Sequence, residues 1–106
     1  MQLDDITFIQ NEEDLIPLPP LTDKQEECLI YLFSYFTEHR YYPTQREIAR
    51  QMHLKSNSAT IFIEPLIKKG YVEREPGKNR NIHITKAGFL KLKLIEKKKR
   101  RLDNKL

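Results

Sequence analysis

Apolar side chains recur at helical spacing in three stretches before residue 70 and in one after residue 85. Leu29, Leu32, Phe33 and Phe36 stand at i, i+3, i+4 and i+7. That spacing predicts one face of a helix over about 22–39. Ile48, Ala49 and Met52 give an inner edge to a second helix over about 44–52, and Leu54 follows as an apolar plug in a turn. Ala59, Phe62, Ile63, Leu66 and Ile67 form a third stripe. Gly70 ends that helix, with Lys68 and Lys69 in its last turn, where cations suit the helix dipole. The period then changes to two. Val72, and later Ile82 with Ile84, alternate with polar residues, predicting strands over about 71–75 and 81–85. Pro76-Gly77-Lys78-Asn79-Arg80 joins them. Ala87, Leu90, Leu94 and Ile95, flanked by Phe89 and Leu92, give an apolar side to a last helix over about 86–104.

Polar punctuation agrees with this division. Thr22 with Gln25, and Thr44 with Glu47, are capping boxes: the hydroxyl takes an orphan backbone N–H and the later side chain reaches back. Ser56, Asn57 and Ser58 offer three N-caps for the third helix, and Thr85 one for the last. Pro43 disfavours helix at Tyr42, and the Tyr41-Tyr42 pair is expected as a short strand beside the hairpin. Pro65 falls inside the third helix. There it removes a hydrogen bond and crowds the carbonyl of Ile61, at roughly 3 kcal/mol, so a kink is expected. The order helix, helix, turn, helix, hairpin describes a mainly α chain with a small β-hairpin (α+β), the winged helix-turn-helix arrangement. Residues 1–20 read as an arm, bounded by Pro17, Pro19 and Pro20. Residues 21–85 form the winged unit, and 86–106 a C-terminal helix that is a candidate dimerisation element.

A chain of 106 residues with 39% hydrophobic and 32% charged side chains fits one small domain. Its net charge of +4 is unevenly placed: residues 1–20 carry −5 and residues 21–106 carry +9. A basic body with an acidic arm points to a polyanion partner. No apolar run reaches the roughly 20 residues of a membrane span, and Met1 to Asp5 lack a signal-peptide pattern, so a cytoplasmic protein with no membrane partner is expected. The single cysteine, Cys28, excludes an intrachain disulfide and reads as a small half-buried thiol. His39, His53 and His83 lack metal-ligand spacing, and the chain has no Gly-rich phosphate loop or nucleophile elbow. No enzyme activity, metal or cofactor is expected.

Double-stranded DNA is the expected partner. The third helix would enter the major groove. Its start carries Ser56, Asn57, Ser58 and Thr60, short polar side chains able to reach base edges or present N–H groups to phosphate. Asn57 suits adenine, and Ile61, on the outer face, suits a thymine methyl. Ser56 to Ser58 also serve as caps alone on a blander reading. At the wing tip, Lys78, Asn79 and Arg80 suit phosphate or the minor groove, against the alternative of a solvated turn. Thr44 and Arg46 in the second helix and Lys55 in the turn are further candidates. The basic run Lys97–Arg101 reads equally as a phosphate contact or a solvated helix end.

These segments resemble a known family. Leu21-Thr22-Asp23-Lys24-Gln25, Tyr42-Pro43-Thr44-Gln45-Arg46-Glu47-Ile48-Ala49, Lys69-Gly70-Tyr71-Val72 and Glu75-Pro76-Gly77-Lys78-Asn79-Arg80-Asn81-Ile82 look like the DNA-binding domain of LexA-type repressors, in order over about residues 21–85. The resemblance implies a winged helix reading a palindromic operator through helix three, with Asn57 and Ser58 among the base contacts. The turn before helix three is one residue shorter than that pattern. The family's self-cleaving peptidase and dimerisation domain does not follow, so self-cleavage control is not expected. Ile84-Thr85-Lys86-Ala87-Gly88-Phe89-Leu90-Lys91-Leu92 instead resembles the post-wing helix of MarR-like regulators, where terminal helices dimerise. A stand-alone bacterial or phage transcriptional regulator, a repressor acting as a homodimer, fits both. Leu90, Leu94 and Ile95 are the candidate dimer patch, unless they pack only on the first helix of their own chain. The alternative function is a winged-helix protein-interaction module, such as an antirepressor or a polymerase- or repressor-binding regulator. The acidic arm is a candidate contact for a protein partner.

Overall fold

The structure, a computed structural model, describes residues 18–55, 59–77 and 80–104, with backbone only for 101–104. Most of the acidic arm, Ser56–Ser58, Lys78 and Asn79 therefore lie outside the described residues.

Helix α1, Asp23–His39, opens on the Thr22 capping box: Gln25 N–H donates to the Thr22 hydroxyl at 3.2 Å, and Thr22 N–H to Gln25 Oε1 at 3.1 Å. It buries Cys28, Leu29 and Leu32, while Phe33 is 41% exposed. The inward stripe is thus rotated from the one expected. Cys28 is wholly buried rather than half-buried. Burial first, and the neighbouring Glu27 charge second, push its thiol up to about 12. Helix α2, Gln45–Gln51, opens on the Thr44–Glu47 box and buries Ile48 and Ala49. It ends with Leu54 N–H on the Ala49 carbonyl at 2.9 Å and His53 N–H on Arg50 at 3.2 Å. This is a Schellman motif with His53, at φ 60, in the left-handed position usually given to glycine.

Helix α3, Thr60–Lys68, departs from the expectation at its start. The cap position is Ala59, with no side-chain cap bond. Ala59 is wholly buried, so packing selects a methyl where capping would select a hydroxyl. The helix continues through Pro65. It closes with the same motif as α2, Tyr71 N–H on Leu66 at 2.9 Å and Gly70 N–H on Ile67 at 3.0 Å, here with glycine at φ 86.

Strands β1, Val72–Arg74, and β2, Ile82–Ile84, pair antiparallel, with Val72 opposite Ile84, Glu73 opposite His83 and Arg74 opposite Ile82. Among the described residues the sheet has these two strands, so the Tyr41-Tyr42 strand does not form. Those residues are held through side chains instead: Tyr42 stacks on Phe36 with centroids 4.4 Å apart. Pro43, which follows directly, has no N–H to add to a ladder.

Helix α4, Lys86–Asn104, is joined to the wing base by Thr85. The Thr85 hydroxyl donates to the Gly70 carbonyl at 2.6 Å and accepts Gly88 N–H at 3.1 Å. Gly88 lies so close to the hairpin that a Cβ there would meet Tyr71 O at 2.3 Å and Ile84 Cγ2 at 2.6 Å. Tyr71 is wholly buried, and its hydroxyl donates to the Pro19 carbonyl. Lys69, expected to serve the α3 dipole, donates to the Pro20 carbonyl at 2.7 Å and to Gln25 Oε1 at 3.0 Å. No helix among the described residues is long and apolar enough to cross a membrane.

Candidate nucleic-acid interface

Helix α3 has two unlike sides. Ala59, Ile63 and Leu66 are wholly buried, which fixes the helix against α1 and the wing. Thr60, Ile61, Glu64 and Lys68 are exposed on the opposite side, with Ile61 at 64%. The sequence-predicted contacts Thr60 and Ile61 therefore face outward together at the start of the helix. Ser56, Asn57 and Ser58, just before them, lie outside the described residues. Arg46 in α2 and Lys55 in the turn are exposed, as is Arg50 of α2, which the sequence alone did not single out. Thr44 is half-buried, its hydroxyl accepting Glu47 N–H at 3.1 Å.

Lys78 and Asn79 at the wing tip are likewise outside the described residues. Arg80, next to them, is held within the chain. Its Nη1 donates to Glu47 Oε1 at 2.8 Å, to the Tyr42 carbonyl at 3.0 Å and to the Tyr35 hydroxyl at 3.4 Å. Nη2 reaches Glu47 Oε2 at 3.5 Å, and the guanidinium carbon sits 4.5 Å from the centre of the Tyr41 ring. Glu47 also accepts Thr44 N–H at 2.8 Å and the Tyr35 hydroxyl at 3.2 Å. The Arg80 guanidinium, and next the Thr44 N–H, hold the Glu47 carboxyl down to about 2, while Glu47 raises Arg80. Burial pushes the Tyr35 hydroxyl up. Tyr35 packs in turn against His39 at 4.1 Å and Tyr41 at 5.9 Å.

The wing's other leg has a similar tie. Arg74 of β1 pairs with Glu64 of α3 at 3.0 Å. The sequence alone marks Glu47 only as a cap and Tyr41 only as part of a short strand, and it does not single out Glu64, Arg74 or Tyr35. The Tyr41-Tyr42 doublet was a signal of a built aromatic surface. Nothing local marks the pairing of Arg80 with a carboxylate 33 residues earlier.

Residues 18–81 match the family described as the LexA DNA binding domain. The chain is 36% identical over 75 residues to the LexA repressor of Thermotoga maritima, covering 71% of this chain and 38% of that protein. It is 38% identical over 66 residues to LexA repressor 2 of Geobacter sulfurreducens, covering 61% of this chain and 32% of that protein. The chain thus spans about a third of the length of these relatives. A solved structure of a mutant S. aureus MepR superposes with a TM-score of 0.60 at 19% identity, over 93% of this chain and 70% of that one, a likeness of fold.

Proposed function

The chain belongs to the LexA DNA-binding domain family, and from that premise we propose that it is a sequence-specific regulator of transcription, a repressor, that binds double-stranded DNA with α3 in the major groove and the wing on the backbone. The observation that carries this reading is the split of α3 into a wholly buried side and an exposed one, Thr60, Ile61, Glu64 and Lys68, beside a hairpin pinned to it. Asn57, Ser58, Thr60 and Ile61 read bases; Thr44, Arg46, Lys55, Ser56, Lys78 and Asn79 position the backbone. Binding without catalysis is the role proposed, in the cytoplasm of a bacterium or of a phage-infected cell.

Selection of bound duplexes from a random pool tests the reading. A defined motif is expected from the wild type. Asn57→Ala and Ser58→Ala should alter that motif, since each good base contact discriminates by roughly 1–3 kcal/mol. The same motif from all three proteins removes these residues from base readout. A second reading rests on the 64% exposure of Ile61 and on Glu64 beside it, features that suit a protein partner better than DNA. Binding to random duplex that ignores salt would favour it.

We further propose a homodimer through α4. Leu94 is 49% exposed and Leu90 is half-buried on the same side of the helix. Ile95, expected to join them, is only 6% exposed and packs within its own chain. Light scattering should report a dimer that becomes a folded monomer on Leu94→Glu. A wild-type monomer with and without operator would refute the pairing.

A further inference from the structure

We propose that Arg80 is a positioning residue that latches the wing to α2 and the end of α1, and that its guanidinium serves Glu47 rather than a DNA phosphate. The inference rests on the DNA-binding reading for its effect on affinity, and on the geometry of the free protein for the latch itself.

Arg80 begins the second leg of the wing, two positions before Ile82. Its four partners come from three separate places: Tyr35 in α1, Tyr41 and Tyr42 in the link to α2, and Glu47 in α2. One cation therefore ties together segments 33 to 45 residues apart in sequence. The arrangement suits arginine's chemistry. The planar fork meets two carboxylate oxygens and a carbonyl while its flat face rests beside an aromatic ring. A lysine supplies the charge but neither the fork nor the face. Glu47 is a fixed acceptor because its own capping bond to Thr44 N–H, at 2.8 Å, and the Tyr35 hydroxyl hold it in place.

The other leg makes the same use of charge. Arg74 of β1 reaches Glu64 on the exposed side of α3 at 3.0 Å. Each leg of the wing is thus pinned by an arginine to a carboxylate on a different helix of the helix-turn-helix. A two-stranded hairpin is marginal on its own. Pinned at both legs, its two strands keep a set orientation relative to α3. Arg80 and Glu47 also cancel each other's charge, so Arg80 as paired is not the free cation that a phosphate contact requires. A counterion-release experiment senses that difference directly.

The test compares Arg80→Lys, Arg80→Gln, Glu47→Gln and Lys78→Ala with the wild type. Two quantities are read: the salt dependence of affinity for a selected duplex, and amide hydrogen exchange of the free proteins. Arg80→Lys is expected to behave like Arg80→Gln, both losing about three- to tenfold in affinity. The slope of log K against log salt should stay near the wild-type value in both. Lys78→Ala should flatten that slope by about 0.9. In the free protein, Arg80→Lys and Glu47→Gln should each speed exchange at Ile82 and Ile84 relative to Leu29 and Leu32. Combining them should add little. If Arg80→Lys keeps full affinity while Arg80→Gln flattens the slope by about 0.9, Arg80 is a phosphate contact and the latch is overturned. Unchanged wing exchange in Arg80→Lys overturns it equally. A wild-type protein that ignores duplex DNA defeats the DNA reading alone. The exchange comparison then still decides whether Arg80 holds the wing.

Discussion

At the base of the wing, Tyr71 and Thr85 lie against Gly88 in a junction closed to solvent at Tyr71 and too tight for one added carbon. Near the tip, Arg80 meets Glu47 with about a third of each side chain exposed, at 36% and 29%. The first junction works by contact: short distances, buried area and a hydroxyl shared between two helix ends. The second works by charge and fork geometry at an edge open to water, where an ion pair adds little to stability. The contrast separates two tasks. Packing at the base decides whether the hairpin and α4 assemble at all. The ion pair near the tip decides where the assembled wing points.

The sharpest break is at Gly88. In a helix, replacing glycine by alanine ordinarily gains up to about 1 kcal/mol. Here the new methyl would stand 2.3 Å from the Tyr71 carbonyl oxygen and 2.6 Å from Ile84 Cγ2. One of these is backbone, fixed by Thr85 N–H at 3.0 Å, so the helix itself must shift. Gly88→Ala should therefore destabilise by about 2 kcal/mol or more, lowering the thermal midpoint on the order of 10 °C. A raised midpoint would show that the base is looser than the junction described.

Tyr71→Phe probes the same junction more gently. The ring stays, so packing is kept, but the Pro19 carbonyl loses its donor. The expected loss is roughly 1–2 kcal/mol, seen as a lower urea midpoint with an unchanged m value. No shift in midpoint would mean that the arm's last residues are held by Lys69 on Pro20 without help from Tyr71.

The two junctions also differ in how far sequence reaches them. Local rules carry over well. Both threonine capping boxes form as read from residues three apart, and Gly70 ends α3 with the left-handed turn its position suggests. The hairpin pairs within the predicted strands, though each is shorter. Legibility fails where a distant partner or a close approach decides. The α1 stripe rotates because Cys28 fits where α1 meets its neighbours, and helical periodicity cannot choose between Cys28 and Phe33. Ala59 takes the α3 cap position because the core needs a methyl there. His53 and Arg40 adopt left-handed φ with no glycine to announce it. Gly88 looks like an ordinary weak helix position until Tyr71 is placed against it. Arg80 looks like a free wing cation until Glu47 is placed beside it.

The smallest effect belongs to that ion pair, and acid is the way to expose it. Arg80 and the Thr44 N–H depress the Glu47 carboxyl to about 2, below the ordinary value of 4.5. A carboxylate depressed on folding stabilises the native state above its unfolded value, and that contribution is lost as pH falls through the folded one. The window therefore runs from 4.5 down to about 2. Because the pair is partly open to solvent, the effect should be about 1 kcal/mol or less. Other carboxylates titrate over the same range, so the informative quantity is the difference between wild type and Glu47→Gln. That difference in unfolding free energy should be constant from about pH 7 to pH 5 and shrink steadily toward about pH 2.5. Arg80→Lys, with the fork lost and the charge kept, should reduce the difference at neutral pH while leaving the direction of its pH dependence unchanged. Curves for wild type and Glu47→Gln that run parallel across the whole range would mean that ionising Glu47 adds nothing to stability. The base would then account for the stability of the wing, and the ion pair would act on orientation alone.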